Sequence, residues 1–397
     1  MKKPKIKKIR TGRWQANHES DELVFAVCDR FLRQLGLSSA NSNPEEAEEA
    51  LGEKKGAAAA VALWLKKSWG RSDLSREKVY PLFWEAAKRG FLLLKPPMEK
   101  LLADRMTTQF RGRDFKRQIK VVNSLGENAS THVASAAADV IVDLIEKVAQ
   151  EKKERMKPGD PPPKVHLGMG AGYATMLVAQ RIAKRVCAGV QFPPLVLHAI
   201  SAGGFLVNEP QKVPSTYFAY FDRNFTDIEC VSLFSETVVN SSDIARIKTN
   251  PGTRRAFERK GEIDIFITSL AAAQHEHGLL EQFLSHLISE ELLDPKVLQN
   301  MHKAGWVGDV QFCPYSNDGP LNDISPVRAV TLFELEELVE FAKKDGKYVV
   351  LVAGPCGECG ASKKDALLPL LANDKLNLWT HLVTDARTAQ EIMSQYS

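Results

Sequence analysis

Three glycines in the stretch HLGMGAGYAT, Gly168, Gly170 and Gly172, follow an apolar run of strand length and open a helical pattern whose first turn contains Thr175. Glycine lets backbone N–H groups approach an anion closely, and a helix N-terminus adds favourable partial charge. The loop therefore reads as a site for phosphate or for sugar hydroxyls. Its GxGxG spacing, with no acid closing the next strand, departs from the dinucleotide fingerprint, and it lacks the GK[ST] of a Walker loop. A second glycine pair, Gly203 and Gly204, follows the run 195–200 and precedes Asn208. After the run 263–267 come Thr268, Ser269 and the cluster Gln274, His275, Glu276, His277, an acid and base supply of the kind used for proton transfer beside a carbonyl. The stretch GWVGDVQFCPYSNDGP, residues 305–320, offers Asp309, Asn317 and Asp318 as hydroxyl ligands. Finally, VLVAGPCGECGASKKDAL passes from a buried strand through a glycine-rich turn to Lys363 or Lys364, a cation able to neutralise a phosphate held by the first loop.

The six cysteines, at 28, 187, 230, 313, 356 and 359, do not make a disulfide framework in so long a chain, which points to a reducing compartment. Cys356 and Cys359 form a single CxxC, read as two free thiols. A zinc site there needs His275 and His277 to complete four ligands. No metal and no cofactor is expected.

Positioning these residues calls for a sheet with its loops at one end. From residue 131 onward, apolar runs at 165–167, 195–200, 263–269, 348–352 and 381–383 are interleaved with helical patterns at 174–186, 363–371 and 388–395. Continuous apolar strands mean burial on both faces, so the fold class is α/β, a mostly parallel sheet covered by helices on both faces. Ligands of such sheets sit beyond the carboxyl ends of the strands. A helix over 131–150 is expected to cover the first sheet strand. Ahead of this lie helical patterns at 21–35 and 57–67 and a Ser75-capped helix with Val79, Leu82, Phe83 and Ala86 on its buried stripe. An extended run at 91–94 then ends at Pro96 and Pro97. This outlines a small winged-helix unit. The 397 residues thus divide into a flexible basic tail (1–20), a winged-helix-like domain (21–97) and a large domain (98–397).

The net charge of +4 says little, but its distribution says more: the first 20 residues hold seven Lys or Arg against Glu19 alone. A second basic run comprises Arg105, Arg111, Arg113, Lys116, Arg117 and Lys120. Each is either a phosphate contact or a solvated face. The longest nearly uncharged stretch, 192–207, is too short to span a bilayer, and no apolar run follows the basic N-terminus as in a secretory signal. A cytoplasmic protein without a membrane partner is expected.

At these residues the chain resembles the SorC family of bacterial sugar-responsive transcriptional regulators. The resemblance runs from about residue 74 to the C-terminus and is carried by LSREKV and EAAKRGFLLL, HLGMGAG, SAGGFLVN, GWVGDV with NDG, VAGP with KKDAL, and LVTDARTA. It implies an N-terminal helix-turn-helix joined to a sugar-binding domain similar to the ribose-phosphate isomerase, glucosamine-phosphate deaminase and CoA-transferase fold. It places Gly168, Gly170, Gly172 and Thr175 on the phosphate or hydroxyls, with Gly203, Gly204, Asp309 and Asp318 near the ligand and Lys363 as the loop lysine. DNA would be met by Arg76, Lys78 and Tyr80, in a homodimer or homotetramer. Three departures stand out: Tyr80-Pro81 replaces a Ser-Arg pair, Thr268-Ser-Leu replaces a glycine-containing loop, and PCGECGAS lengthens the loop before Lys363. The leading expectation is a regulator whose sugar or sugar-phosphate effector controls DNA binding, with no catalytic residue. The alternatives are an isomerase- or deaminase-like enzyme using His275, Glu276, His277 or Asp309, and a sugar-phosphate-binding protein that has lost sequence-specific DNA binding.

Overall fold

The structure, a computed structural model, describes residues 14–35, 56–89, 91–92, 97–112, 116–124, 128–187, 192–203, 209–221, 227–275, 277–322 and 324–396. Contacts divide the chain into two units, Met1–Leu94 and Lys95–Ser397.

In the first unit, helices α1 (Asp21–Gln34), α2 (Ala57–Ser68) and α3 (Arg76–Lys88) each bury one stripe. Leu23, Val24, Val27 and Phe31 of α1 meet Val61 and Leu65 of α2 and Val79, Leu82 and Ala86 of α3 in one cluster. Pro81 sits inside α3, on its exposed side. There the ring faces solvent and only one backbone donor is lost, so the helix continues through it. Residues 14–20 belong to this unit rather than to a free tail, and the acid in that basic segment is the reason. The Arg71 guanidinium donates to both Glu19 carboxylate oxygens at 2.7 Å, and Trp14 Nε1 donates to the same group at 2.9 Å. Phe91 and Leu92 pack against the cluster, whereas residues 93–96 of the expected wing lie outside the described residues.

The second unit is a parallel sheet in the order β1 (Gln118–Val122), β12 (His381–Asp385), β11 (Tyr348–Ala353), β6 (Ile265–Ala272), β2 (Val165–Met169), β3 (Leu195–Ala199), β4 (Ile228–Val231). Every pairing along this path is parallel. Side chains alternate between two cores, as a strand covered on both faces requires: Val349, Leu351 and Ala353 of β11 enter one, Tyr348, Val350 and Val352 the other. The first core is covered by α4 (Lys100–Phe110), α12 (Leu335–Lys343), α13 (Lys364–Ala372) and α14 (Ala386–Met393). The second is covered by α5 (Ala129–Glu154) and α6 (Tyr173–Cys187), and α5 lies across β12 and β11 as well as β1.

From β6 the chain of pairings leaves the parallel path through antiparallel β7 (Gly308–Val310), β8 (Cys313–Ser316) and β9 (Gly319–Pro320). A two-stranded ladder of β5 (Val238–Asn240) and β10 (Val327–Ala329) lies apart. The short helices α7 (Pro214–Tyr217), α8 (Ile244–Thr249), α9 (Pro251–Arg259), α10 (Leu279–Ser289) and α11 (Lys296–Lys303) fill the connections. Two members of the second basic run serve the fold. Lys116 Nζ donates to the Lys344 carbonyl at 2.6 Å and lies over the Tyr348 ring, and the Arg117 guanidinium lies over Trp379. No helix among the described residues is long and apolar enough to cross a membrane.

Candidate functional site

The central pair of the sheet, β2 and β6, is where the connections diverge, β3 and β4 following on one side and β11 and β12 on the other. Such a switch point leaves a crevice at the carboxyl ends of the strands. A cavity of about 330 Å³ occupies it, bounded by the turn after β2, the end of β6, β7 and its hairpin turn, and the loop after β11.

Of the three glycines of the first loop, only Gly172 borders the cavity. Gly168 lies within β2, and a Cβ there would stand 2.5 Å from Ile200 Cδ1, so this glycine serves close packing. Gly170 is covered by Gln311, whose Nε2 would lie 1.9 Å from a Cβ. Thr175 is buried on the inner side of α6, and its hydroxyl has no hydrogen-bond partner. The loop amides are taken too: those of Gly170, Ala171 and Gly172 donate to the Ile267 carbonyl, Gln311 Oε1 and the Lys212 carbonyl. The first helical bond of α6 runs from Met176 N–H to the Gly172 carbonyl. The N–H groups of Tyr173, Ala174 and Thr175 are therefore the free donors of the helix end, displaced one step along the chain from the glycines themselves. Gly203 packs against Val213, 1.8 Å from a would-be Cβ, and does not border the cavity. Gly204, Asn208 and Glu276 lie outside the described residues.

Asp309, in β7, and Lys363, immediately before α13, both line the cavity. Burial raises the Asp309 carboxyl to about 7, against the opposing pulls of the Phe312 N–H and the Lys363 ammonium. One of its oxygens, Oδ2, is buried without a partner. Burial likewise lowers Lys363, against the opposing charges of Cys356 and Asp309, and its Nζ donates to the Leu270 carbonyl at 2.9 Å. Asp318 and Asn317, by contrast, are exposed at the tip of the β8–β9 turn and do not reach the cavity. The β8–β9 turn lies at the end where β7 enters, opposite the Gln311–Phe312 turn that borders the cavity.

Residues not anticipated from sequence complete the lining. Gln311 and Phe312 form the two-residue turn between β7 and β8, both with positive φ (53° and 64°). Such turns favour Asn and Gly, so the sequence QF carries no turn signal, and the strain is offset by anchoring both side chains. Gln311 Nε2 donates to Thr268 Oγ1 at 2.7 Å, and Phe312 enters the apolar cluster formed by α10, α11 and Trp306. Thr268, one of the departures noted above, is thus the partner that orients Gln311. Lys212, buried and paired with Glu209 at 2.5 Å, adds a second cation to the wall. On the opposite rim His277 pairs with Glu358 at 3.5 Å. The LVTDARTA motif does not contribute: Asp385 caps α14, accepting from the Thr388 N–H and hydroxyl at 3.0 and 2.7 Å.

Among the described residues, Cys356, Cys359 and His277 do not gather into a metal-ligating trio; His166, His198 and Glu262 do, away from the cavity. In the first unit Arg76 and Tyr80 are exposed on α3. Lys78 is not free for phosphate: its Nζ donates to the Asp73 carbonyl at 2.7 Å and lies over the Trp14 ring.

No protein-family model matches the sequence, and no curated protein matches it. Solved structures do match in fold. The full-length sorbitol operon regulator SorC from Klebsiella pneumoniae aligns over 95% of this chain and 100% of its own, with a TM-score of 0.56 at 12% identity. A transcriptional regulator from Streptococcus pneumoniae TIGR4 covers 75% of this chain and 97% of its own (TM-score 0.53, 13% identity). A DeoR family transcriptional regulator from Listeria monocytogenes covers 73% and 98% (TM-score 0.51, 16% identity). The chain therefore has the α/β fold of these regulators, a parallel sheet flanked by helices and preceded by a small helical unit.

Proposed function

We propose that the cavity binds a sugar or sugar phosphate, and that the chain is a cytoplasmic, oligomeric transcriptional regulator in which this effector controls DNA binding by the tri-helical unit. The observation that carries the reading is the buried, unpartnered Asp309 Oδ2 in one cavity with Lys363, Lys212 and the free amides opening α6. A buried acceptor without a donor favours a ligand hydroxyl. Cations and helix-end amides favour phosphate oxygens. One polyol phosphate supplies both. The regulators that share the fold support the remainder of the reading.

Two measurements test it. A thermal-shift screen against sugar phosphates should find a stabilising ligand, and Lys363→Ala should abolish that stabilisation; unchanged stabilisation would reject Lys363 as a phosphate ligand. Duplex DNA titrated at two salt concentrations addresses the helical unit, where α3 exposes Arg76 together with Tyr80, Pro81 and Trp84. Absence of binding even at low salt would leave a sugar-binding protein that no longer regulates transcription. Asp309 near neutrality, with His277 on the same cavity, favours a second reading as a proton-transfer enzyme. A flat time course with the ligand identified in the screen would dismiss it.

A further inference from the structure

The loop after β11 forms a roof segment of the cavity and carries two thiols in one turn. The Cys356 N–H donates to the Ala361 carbonyl at 2.9 Å, and the Gly360 N–H donates to the Cys356 carbonyl at 3.0 Å. Gly360 closes the turn with φ +68°. The second of these bonds is an i to i+4 bond, the backbone pattern of one helical turn. Residues three apart in such a turn share a face, with Cβ atoms about 5–6 Å apart. Their Cα spacing then falls inside the roughly 4.4–6.8 Å window of a disulfide, while the Cβ atoms must close to about 3.5–4.5 Å, so the bond forms with a small backbone adjustment of the loop that tightens this turn.

Both thiols are free, and they differ in access: Cys356 is buried and lines the cavity, whereas Cys359 is exposed. The turn is held on either side, Glu358 lying 3.5 Å from His277 Nδ1 and Gly357 packing against the Tyr173 ring. The Lys363 ammonium is close enough for both sulfur charges to act on it.

We propose that Cys356 and Cys359 are a peroxide-oxidisable dithiol, a reversible modification site on the roof of the cavity. The exposed Cys359 thiolate attacks a peroxide oxygen. An S–O bond forms, the O–O bond breaks, and hydroxide leaves to be protonated as water. The Cys356 thiolate then attacks the sulfenic sulfur. The S–S bond forms as the S–O bond breaks, and the second oxygen leaves as water after protonation. Two electrons pass from the thiol pair to one peroxide, and a dithiol reductant reverses the step. Cys28, Cys230 and Cys313 are poorly suited to compete. Burial pushes the Cys28 thiol up to about 11 and Cys313 well above its usual range, and Cys230 lies in strand β4 with no second cysteine near it in the sequence. The inference is independent of what occupies the cavity.

The test uses the full-length protein treated with hydrogen peroxide, alkylated and digested with trypsin, which releases both cysteines in the peptide 348–363 between Lys347 and Lys363. The expected product is that peptide about 2 Da lighter than its dithiol form and unalkylated, restored by dithiothreitol. Cys356→Ser should instead leave Cys359 as a sulfenic acid that dimedone traps, and Cys359→Ser should slow oxidation at least tenfold, each in protein shown to be folded by its unfolding transition. Two alkylatable thiols after peroxide, direct passage of Cys359 to sulfinic acid in the unsubstituted protein, or zinc retained by the pair would each overturn the proposal.

Discussion

Replacing Asp309 by asparagine should make the large unit more stable, and increasingly so as pH rises. The carboxyl is buried and its folded value stands at about 7 against 3.8 when unfolded, with burial as the main cause. A raised carboxyl binds its proton more tightly in the folded state. Its contribution is complete below pH 3.8 and is lost as pH rises through 7. A difference of roughly three pH units, at about 1.4 kcal/mol each, puts the full loss near 4 kcal/mol. Between about pH 5 and pH 8.5 roughly 2–3 kcal/mol of this is expressed, because at pH 5 the unfolded chain is already mostly ionised. The amide introduced by Asp309→Asn would keep an acceptor for the Phe312 N–H and carry no charge, so the advantage of this variant over the parent should grow by that amount across the window. Comparing the two proteins cancels the opposite pull of His198 and His381, held neutral by burial with values of about 3 and 4, which lowers stability as pH falls below their unfolded value of 6.5. Urea unfolding of both proteins at several pH values, followed by near-UV circular dichroism, supplies the difference. A difference that stays flat with pH would refute the reasoning. It would mean that Asp309 is a fully ionised partner of Lys363 throughout.

Other substitutions separate packing from binding. Gly308→Ala would set a Cβ 2.6 Å from the Ala271 carbonyl and 2.8 Å from Tyr315 Oη, forcing β6 and β7 apart; a cost of about 2–3 kcal/mol is expected in urea unfolding. Asp385→Ala removes the cap of α14 and should cost about 1–2 kcal/mol while leaving ligand-induced thermal shifts unchanged. Gln311→Ala keeps the positive φ but loses the bonds to Thr268 and Ala171, so it should destabilise by about 1–2 kcal/mol and also weaken ligand binding, measured by calorimetry.

Much of the architecture was legible because burial on both faces leaves a one-dimensional trace. The runs at 165–167, 348–352 and 381–383 became strands extended by a few residues at the carboxyl end, and the helix expected at 131–150 forms as Ala129–Glu154. Strand β1 was hidden in the basic run, since Lys116 and Arg117 spend their charge on carbonyls and rings that sequence distance conceals. The hairpin β7–β8 was hidden because its turn is Gln-Phe, a pair made tolerable only by Thr268 and by the cluster that receives Phe312.

By itself the sequence determined which loops end the parallel strands, and so brought Gly172 and Lys363 to one place, because ligand loops of such sheets gather at the carboxyl ends of the strands. Only the tertiary structure decided which loop groups are available. Gly168, Gly170 and Gly203 are consumed by packing against Ile200, Gln311 and Val213, Asp318 points away at a hairpin tip, and Lys212 arrives from about 40 residues beyond Gly172. Glycine spacing records where backbone approaches something closely; whether that neighbour is a ligand or another side chain depends on contacts between residues far apart in the chain.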